Sequence, residues 1–194
     1  ERQYSVAICR FPGNHSEHPH SSSWAAKIGR VAEKDKRISK VIPLWAADTP
    51  ITMVRNAMVK VAWIDLKADY ILMIDADMAF TPQTIVEMVN LFKHLREQDP
   101  KTGMLGGLAF ISNDPRCTRP IPTIWMENPQ NPDQILGSNG YSPNTLYEVA
   151  ATGGACVIIA RDVLEELSKQ GNPFHHLNLV NWHMLARNIS QMTD

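Results

Sequence analysis

The chain has 194 residues, of which 44% are hydrophobic and 20% charged, a composition typical of a globular domain with a substantial core. Its formal net charge of −1 gives no electrostatic reason to expect binding to nucleic acid or to an anionic membrane. No apolar segment approaches the roughly 20 residues that a membrane-spanning helix needs. The cysteines Cys9, Cys117 and Cys156 are odd in number and far apart, and no signal peptide is visible, so we expect a reducing, cytoplasmic setting.

Apolar runs and helix-start signals alternate along the chain. Strands are predicted over 4–9, over 38–45, from Tyr70 to Ile74, over 104–111 and over 155–159. Helices are predicted over 24–34, from Pro50 to Lys67 with Asp48 or Thr49 as the cap, from Pro82 with Thr81 as the cap, over 161–167 and over 179–189. This alternation predicts an α/β fold with a largely parallel sheet, in which the third strand lies near the middle.

Residues 112–144 differ in character from the rest of the chain. They contain six prolines and several Asn and Gly residues, and we expect a long excursion with one short strand at 121–126. Such a long excursion within a compact domain is usually functional or mobile. Trp125 lies in it, and either packs in the core or stacks on the face of a sugar.

The third predicted strand ends at two acids, Asp75 and Asp77. In open α/β sheets, ligands bind at the carboxyl ends of the strands. Two carboxylates this close repel each other unless a positive charge lies between them, and a hard divalent cation that holds a phosphate would supply it. The alternative is that the acids serve as a helix cap and a turn residue, although Thr81 already provides a cap for the next helix.

Two further segments carry possible site residues. Arg55 and Asn56 lie in the first turns of the second predicted helix, and helix N-termini favour anions, although a solvated Arg is an equal alternative on position alone. Thr152, Gly153 and Gly154 form a predicted turn directly before the last strand.

Taken together, the segments 51–57, 69–78 and 151–161 resemble the nucleotide-sugar half of GT-A glycosyltransferases, of the family-2-like type found in phages and bacteria. The resemblance spans about 6–161 and leaves the excursion unmatched. It implies a GT-A fold, a three-layer α/β/α arrangement with a mostly parallel sheet. It also implies a single domain over 1–194, with a nucleotide-binding half at about 1–111 and an acceptor-side half at 112–194.

The resemblance also implies roles for individual residues. Asp77 would bind the Mn²⁺ or Mg²⁺ that bridges the donor diphosphate, and Asp75 would contact the ribose or the water shell of the metal. Residues implied to hold the donor are Arg10, Pro12, Asp48, Arg55, Asp75, Gly153 and Gly154. Residues implied as metal ligands are Asp75, Asp77, His175 and His176, the two histidines as alternatives to ordinary exposed loop residues.

The general base is not identified. Many inverting members of the family carry an acidic pair after the Thr-Gly-Gly strand, whereas Glu165 and Glu166 are interpreted as the exposed face of a helix. The acid lies elsewhere, or the chain stops before it, or the reaction retains configuration. A cluster of His15, His18 and His20 matches no zinc pattern and is interpreted as part of a polar loop that lines the donor site.

The expected function is metal-dependent transfer of a sugar from a UDP- or GDP-sugar to an unknown glycan, lipid or protein acceptor. A non-catalytic module that binds nucleotide sugars or carbohydrates is one alternative. A sugar nucleotidyltransferase is another, although residues 10–14 match its Gly-rich, Arg-containing loop poorly. A phosphatase of the haloacid dehalogenase type is disfavoured, because its Asp-x-Asp lies on the first strand.

Overall fold

The structure is a computed structural model that describes residues 3–11, 27, 34–35, 38–45, 51–75, 78, 80–112, 116, 118, 120–138 and 140–169. Its first strands are β1 (Tyr4–Phe11), β2 (Ile38–Trp45), β3 (Tyr70–Asp75), β4 (Met104–Gly106) and β5 (Phe110–Ile111). The others are β6 (Ile121–Pro122), β7 (Ile124–Asn128), β8 (Asn131–Gly137), β9 (Ala151–Thr152) and β10 (Cys156–Ala160). The helices are α1 (Ile51–Lys60), α2 (Pro82–Gln98) and α3 (Arg161–Lys169), and a π-helix at Val61–Asp65 continues α1.

The main sheet has five strands in the order β2-β1-β3-β10-β4, so the predicted central position of the third strand is confirmed. β1 runs parallel to β2 and β3, whereas β10 runs antiparallel to both β3 and β4. The sheet is therefore mixed, with one reversed strand. The described residues between β4 and β10 form short strands and loops, with no helix among them to make the crossover that a parallel strand would require.

The sheet is covered by helices on both faces, because residues of β3 alternate between two apolar clusters. Leu72 and Ile74 belong to the cluster that contains Val89 and Phe92 of α2. Ile71 belongs to the opposite cluster. That second cluster contains Val54, Met58 and Val59 of α1 together with Leu164 and Leu167 of α3. The described part is thus a three-layer α/β/α arrangement.

Local sequence signals predicted one helix start correctly and one helix end incorrectly. Thr81 caps α2 as predicted, since its Oγ1 accepts a hydrogen bond from the Thr84 backbone N at 3.3 Å. The helix predicted to reach Lys67 instead changes to π-geometry at Val61 and ends at Asp65. Lys67 then adopts a positive φ of 51°, which turns the chain toward β3.

The excursion is more regular than predicted. The expected strand at 121–126 is divided into β6 and β7, and β7 pairs on one side with β8 and on the other with β9. β8 has a partner on one side only, which is why it accommodates Pro132. The predicted strand at 104–111 was wrong as a single element: it separates into β4 and β5 around Gly107, whose backbone N donates to the Cys156 carbonyl at 2.8 Å.

Several predicted elements lie outside the described residues. They include most of the helix at 24–34, the cap of α1 at Asp48 or Thr49, and the helix at 179–189. In the part of the chain that is described, no helix combines the length and the apolar character needed to cross a membrane.

Candidate functional site

Several of the predicted site residues meet at one edge of the main sheet. The parallel register pairs Arg10 with Ile74 and Phe11 with Asp75, so β1 and β3 end side by side. β10 runs the other way and begins at this same edge, where Cys156 pairs with Ile74. The turn before β10 is thereby brought to the carboxyl ends of β1 and β3, the position where α/β sheets bind ligands.

Arg55 and Asp75 form an ion pair at this edge. The Arg55 Nη2 donates to Asp75 Oδ1, and the two side chains are only 11% and 27% exposed. The backbone of Asp75 is also fixed, because its N donates to the Ala155 carbonyl at 2.9 Å and its carbonyl accepts from Met78 N at 3.1 Å. Partial burial strengthens such a charge-assisted hydrogen bond, so Asp75 is held in one position.

Gly154 packs directly against the Arg55 guanidinium. A Cβ at Gly154 would lie 2.9 Å from Arg55 Nη1, closer than side-chain contacts allow. Because the Arg55 guanidinium is mostly buried and paired with Asp75, it cannot shift freely, and a residue without a side chain suits this close approach of the turn. The resemblance implies that Gly153 and Gly154 hold the donor, and in the structure the group closest to Gly154 is the Arg55 side chain.

Gly153 makes a similar contact on its other side. A Cβ at Gly153 would lie 2.6 Å from Thr123 Oγ1, and the Gly153 backbone N donates to the Thr123 carbonyl at 3.1 Å. Thr123 is buried, and its Oγ1 donates to the Ala109 carbonyl at 3.0 Å. Sequence analysis missed Thr123, because only its contacts with residues distant in sequence distinguish it from the neighbouring strand residues.

Cys156 lies beside this site but is chemically inert. Burial, and to a lesser degree the Asp75 carboxylate, raise its pKa to about 12. Burial likewise raises the pKa of Cys9 to about 12. Both thiols stay protonated at neutral pH and are poor nucleophiles and metal ligands. Both cysteines are free and buried.

The predicted metal site is described only in part. Asp75 lies in the described residues, whereas Asp77, His175 and His176 lie outside them, as do Pro12 and Asp48 of the predicted donor site. Within the described ranges, no group of three or more His, Cys, Asp and Glu side chains could hold a metal ion. The half-buried Asp75 carboxylate at the sheet edge is compatible with a contact to a metal or to its water shell.

Glu165 and Glu166 lie on the exposed face of α3, as predicted. Glu165 pairs with Arg161 at 2.8 Å and Glu166 pairs with Lys169 at 2.7 Å, each within one turn of the same helix. This arrangement gives neither residue a catalytic role at the sheet edge.

No family model matches the sequence, and no curated protein matches it. Among solved structures, A197 from STIV is 12% identical with a TM-score of 0.44, covering 84% of this chain and 68% of that one. CMP:2-keto-3-deoxy-manno-octonic acid synthetase in complex with CTP is also 12% identical with a TM-score of 0.47, covering 99% of this chain and 84% of that one. Likenesses at TM-scores this low carry no argument about fold or activity.

Proposed function

We propose that this chain is a metal-dependent glycosyltransferase of the GT-A type, which moves a sugar from a nucleoside-diphosphate sugar to an acceptor. The observation that supports the proposal is the Arg55–Asp75 pair beneath Gly154 at the carboxyl edge of the sheet. Three segments that resemble glycosyltransferase motifs, and that are distant in sequence, are in direct contact there.

The ion pair with Arg55 supports different roles for Asp75 and Asp77. Asp75 is neutralised by Arg55 and would make a weak metal ligand, so we assign it to orienting the following residues and to the ribose or metal water shell. Asp77 would then be the acid that holds Mn²⁺ or Mg²⁺, which supplies neutralisation of the charge on the leaving diphosphate. His175 or His176 would complete the ligand set.

The remaining assignments follow from position. Arg10 lies at the end of β1 next to the strand that carries Asp75, where it would contact the nucleotide together with Pro12 and Asp48. Gly154 allows the turn to approach Arg55, and Gly153 allows it to approach Thr123.

Calorimetric titration of UDP and GDP with and without Mn²⁺ tests the site. We expect Mn²⁺-dependent binding to the full chain and a loss of about tenfold or more in affinity, about 1.4 kcal/mol, in Asp77→Asn. Asp65→Asn is the control, because Asp65 is an exposed acid on the π-helix. Equal metal-dependent affinity in Asp77→Asn and the wild type would overturn the assignment.

Turnover assays distinguish a glycosyltransferase from a nucleotidyltransferase, a binding module and a phosphatase. Transfer or hydrolysis of the sugar from a nucleotide-sugar panel supports the transferase. Pyrophosphate release from a nucleoside triphosphate and a sugar phosphate would instead identify a nucleotidyltransferase, and nucleoside diphosphate binding without turnover would identify a binding module. Phosphate release from simple phosphoesters would identify a phosphatase.

A further inference from the structure

Each residue of 152–156, which we call the junction segment, contacts a residue that is distant in sequence. The contacted residues, in order from Thr152 to Cys156, are Gly106, Thr123, Arg55, Asp75 and Gly107. Because close-packed interiors transmit displacements between neighbours, a shift at one of these contacts is passed along the segment to the others. The junction segment therefore connects the Arg55–Asp75 pair to the end of β4 and to the residue before β7.

Thr123, the residue directly before β7, provides a buried polar side chain at one of these contacts. Among the described residues, the buried polar or charged ones are Arg55, Lys93 and Thr123, at 9%, 6% and 5% exposed. Thr123 contacts Gly153 of the junction segment, and Arg55 contacts the next residue of that segment. Burial of a polar group is unfavourable unless a hydrogen bond compensates for it, so two such side chains at adjacent positions require a reason beyond packing.

The Thr123 hydroxyl fixes the shape of this contact rather than the pairing of the backbone. The Ala109 carbonyl accepts from the Thr123 backbone N at 2.9 Å and from Oγ1 at 3.0 Å, so the backbone bond remains when the hydroxyl is removed. The second bond fixes the side-chain rotamer with Oγ1 beside Gly153, where a Cβ would lie 2.6 Å from it. A methyl group in place of the hydroxyl is larger and would press against Gly153.

We propose that Thr123 is a positioning residue for the candidate site. Its hydroxyl keeps Gly153 in place, and Gly153 determines how closely Gly154 approaches Arg55. Arg55 in turn fixes Asp75. The effect of Thr123 on nucleotide binding rests on the proposed function, whereas the energetic coupling between Thr123 and Arg55 does not.

Thr123→Val and Thr123→Ser test the proposal in calorimetric titrations of UDP and GDP with Mn²⁺. We expect Thr123→Val to weaken the metal-dependent binding about three- to tenfold, because the added methyl group displaces the junction segment. Thr123→Ser keeps the hydroxyl and should bind like the wild type, although the loss of a buried methyl group lowers its melting temperature. Leu167→Val is the control, because Leu167 is buried in the last turn of α3, where its truncation should lower the melting temperature and leave the binding unchanged.

The coupling between Thr123 and Arg55 is measured by thermal unfolding without metal or nucleotide. We expect Thr123→Val to lower the melting temperature less in the Arg55→Ala background than in the wild type, because the guanidinium against which the junction segment packs is then absent. Arg55→Lys replaces Arg55→Ala if the latter does not fold.

Several results would overturn the proposal. They are equal nucleotide affinity in Thr123→Val and the wild type, equal losses of affinity in Thr123→Val and in either Thr123→Ser or Leu167→Val, and an equal loss of melting temperature from Thr123→Val in both Arg55 backgrounds. If the wild type binds neither UDP nor GDP, the proposed function fails, and the melting temperatures alone decide whether Thr123 positions Arg55.

Discussion

Replacement of Gly154 by Ala tests the geometry of the site without removing a charge. The added Cβ would lie 2.9 Å from Arg55 Nη1. Arg55 cannot move away freely, because its side chain is only 11% exposed and is bonded to Asp75. We expect overpacking to destabilise the protein by about 1–3 kcal/mol. For a chain of this length that lowers the melting temperature by about 2–4 °C per kcal/mol.

Urea unfolding followed by circular dichroism measures this effect, and the chain provides a matched control. A Cβ at Gly140 would meet nothing within 4 Å. Gly140→Ala should therefore be neutral or should stabilise the protein by about 0.4–1 kcal/mol, because Ala restricts the unfolded chain.

A double-mutant cycle with Arg55→Ala tests whether the contact with Arg55 causes the destabilisation in Gly154→Ala. When the guanidinium is absent, Gly154→Ala should cost much less, with a coupling free energy of about 0.5–3 kcal/mol. If Gly154→Ala lowers the free energy of unfolding equally in the wild-type and Arg55→Ala backgrounds, the close approach to Arg55 is not the reason why this position needs a glycine.

Further predictions concern Asp75 and the buried thiols. Asp75→Asn removes the carboxylate from a mostly buried Arg55, so the free energy of unfolding in urea should fall by about 1.5–3 kcal/mol, and an unchanged midpoint would contradict the ion pair. Cys9 and Cys156 should resist iodoacetamide in the native protein, and fast labelling of either would refute their burial. Folding raises the pKa of both thiols from 9.0 to about 12. Between these two pH values the thiols are protonated in the native state, whereas in the unfolded chain they lose their protons. Stability should therefore be complete below pH 9.0 and decline toward pH 12, less steeply in Cys156→Ala.

The elements that sequence predicted well are those with strong local signals. Strand β2 has the predicted bounds, and β3 begins at Tyr70 as expected. The start of α2 at Pro82 follows from Thr81, whose side chain caps the helix within one turn. In each case the residues that determine the boundary are adjacent in sequence.

The errors concern features that depend on distant partners. The reversed direction of β10 depends on how the chain returns from the excursion, and residues 104–111 divide because β4 pairs with β10 whereas β5 pairs with β6. The excursion, predicted from its prolines to be mainly irregular, contains the hairpin of β7 and β8. Periodicity within a short segment contains no information on which strand lies beside it.

The structure gives Asp75 a partner, Arg55, that the sequence did not predict. Because Arg55 neutralises Asp75 inside a packed edge, that carboxylate contributes to the fold whether or not a ligand is bound. Asp77 is the metal ligand of the proposed function, which therefore expects its effect to fall on binding. If the proposal is correct, Asp75→Asn lowers stability, while Asp77→Asn lowers metal-dependent nucleotide binding with little change in melting temperature. An equal loss of stability in both variants would assign both acids to the fold and remove the support for a metal site.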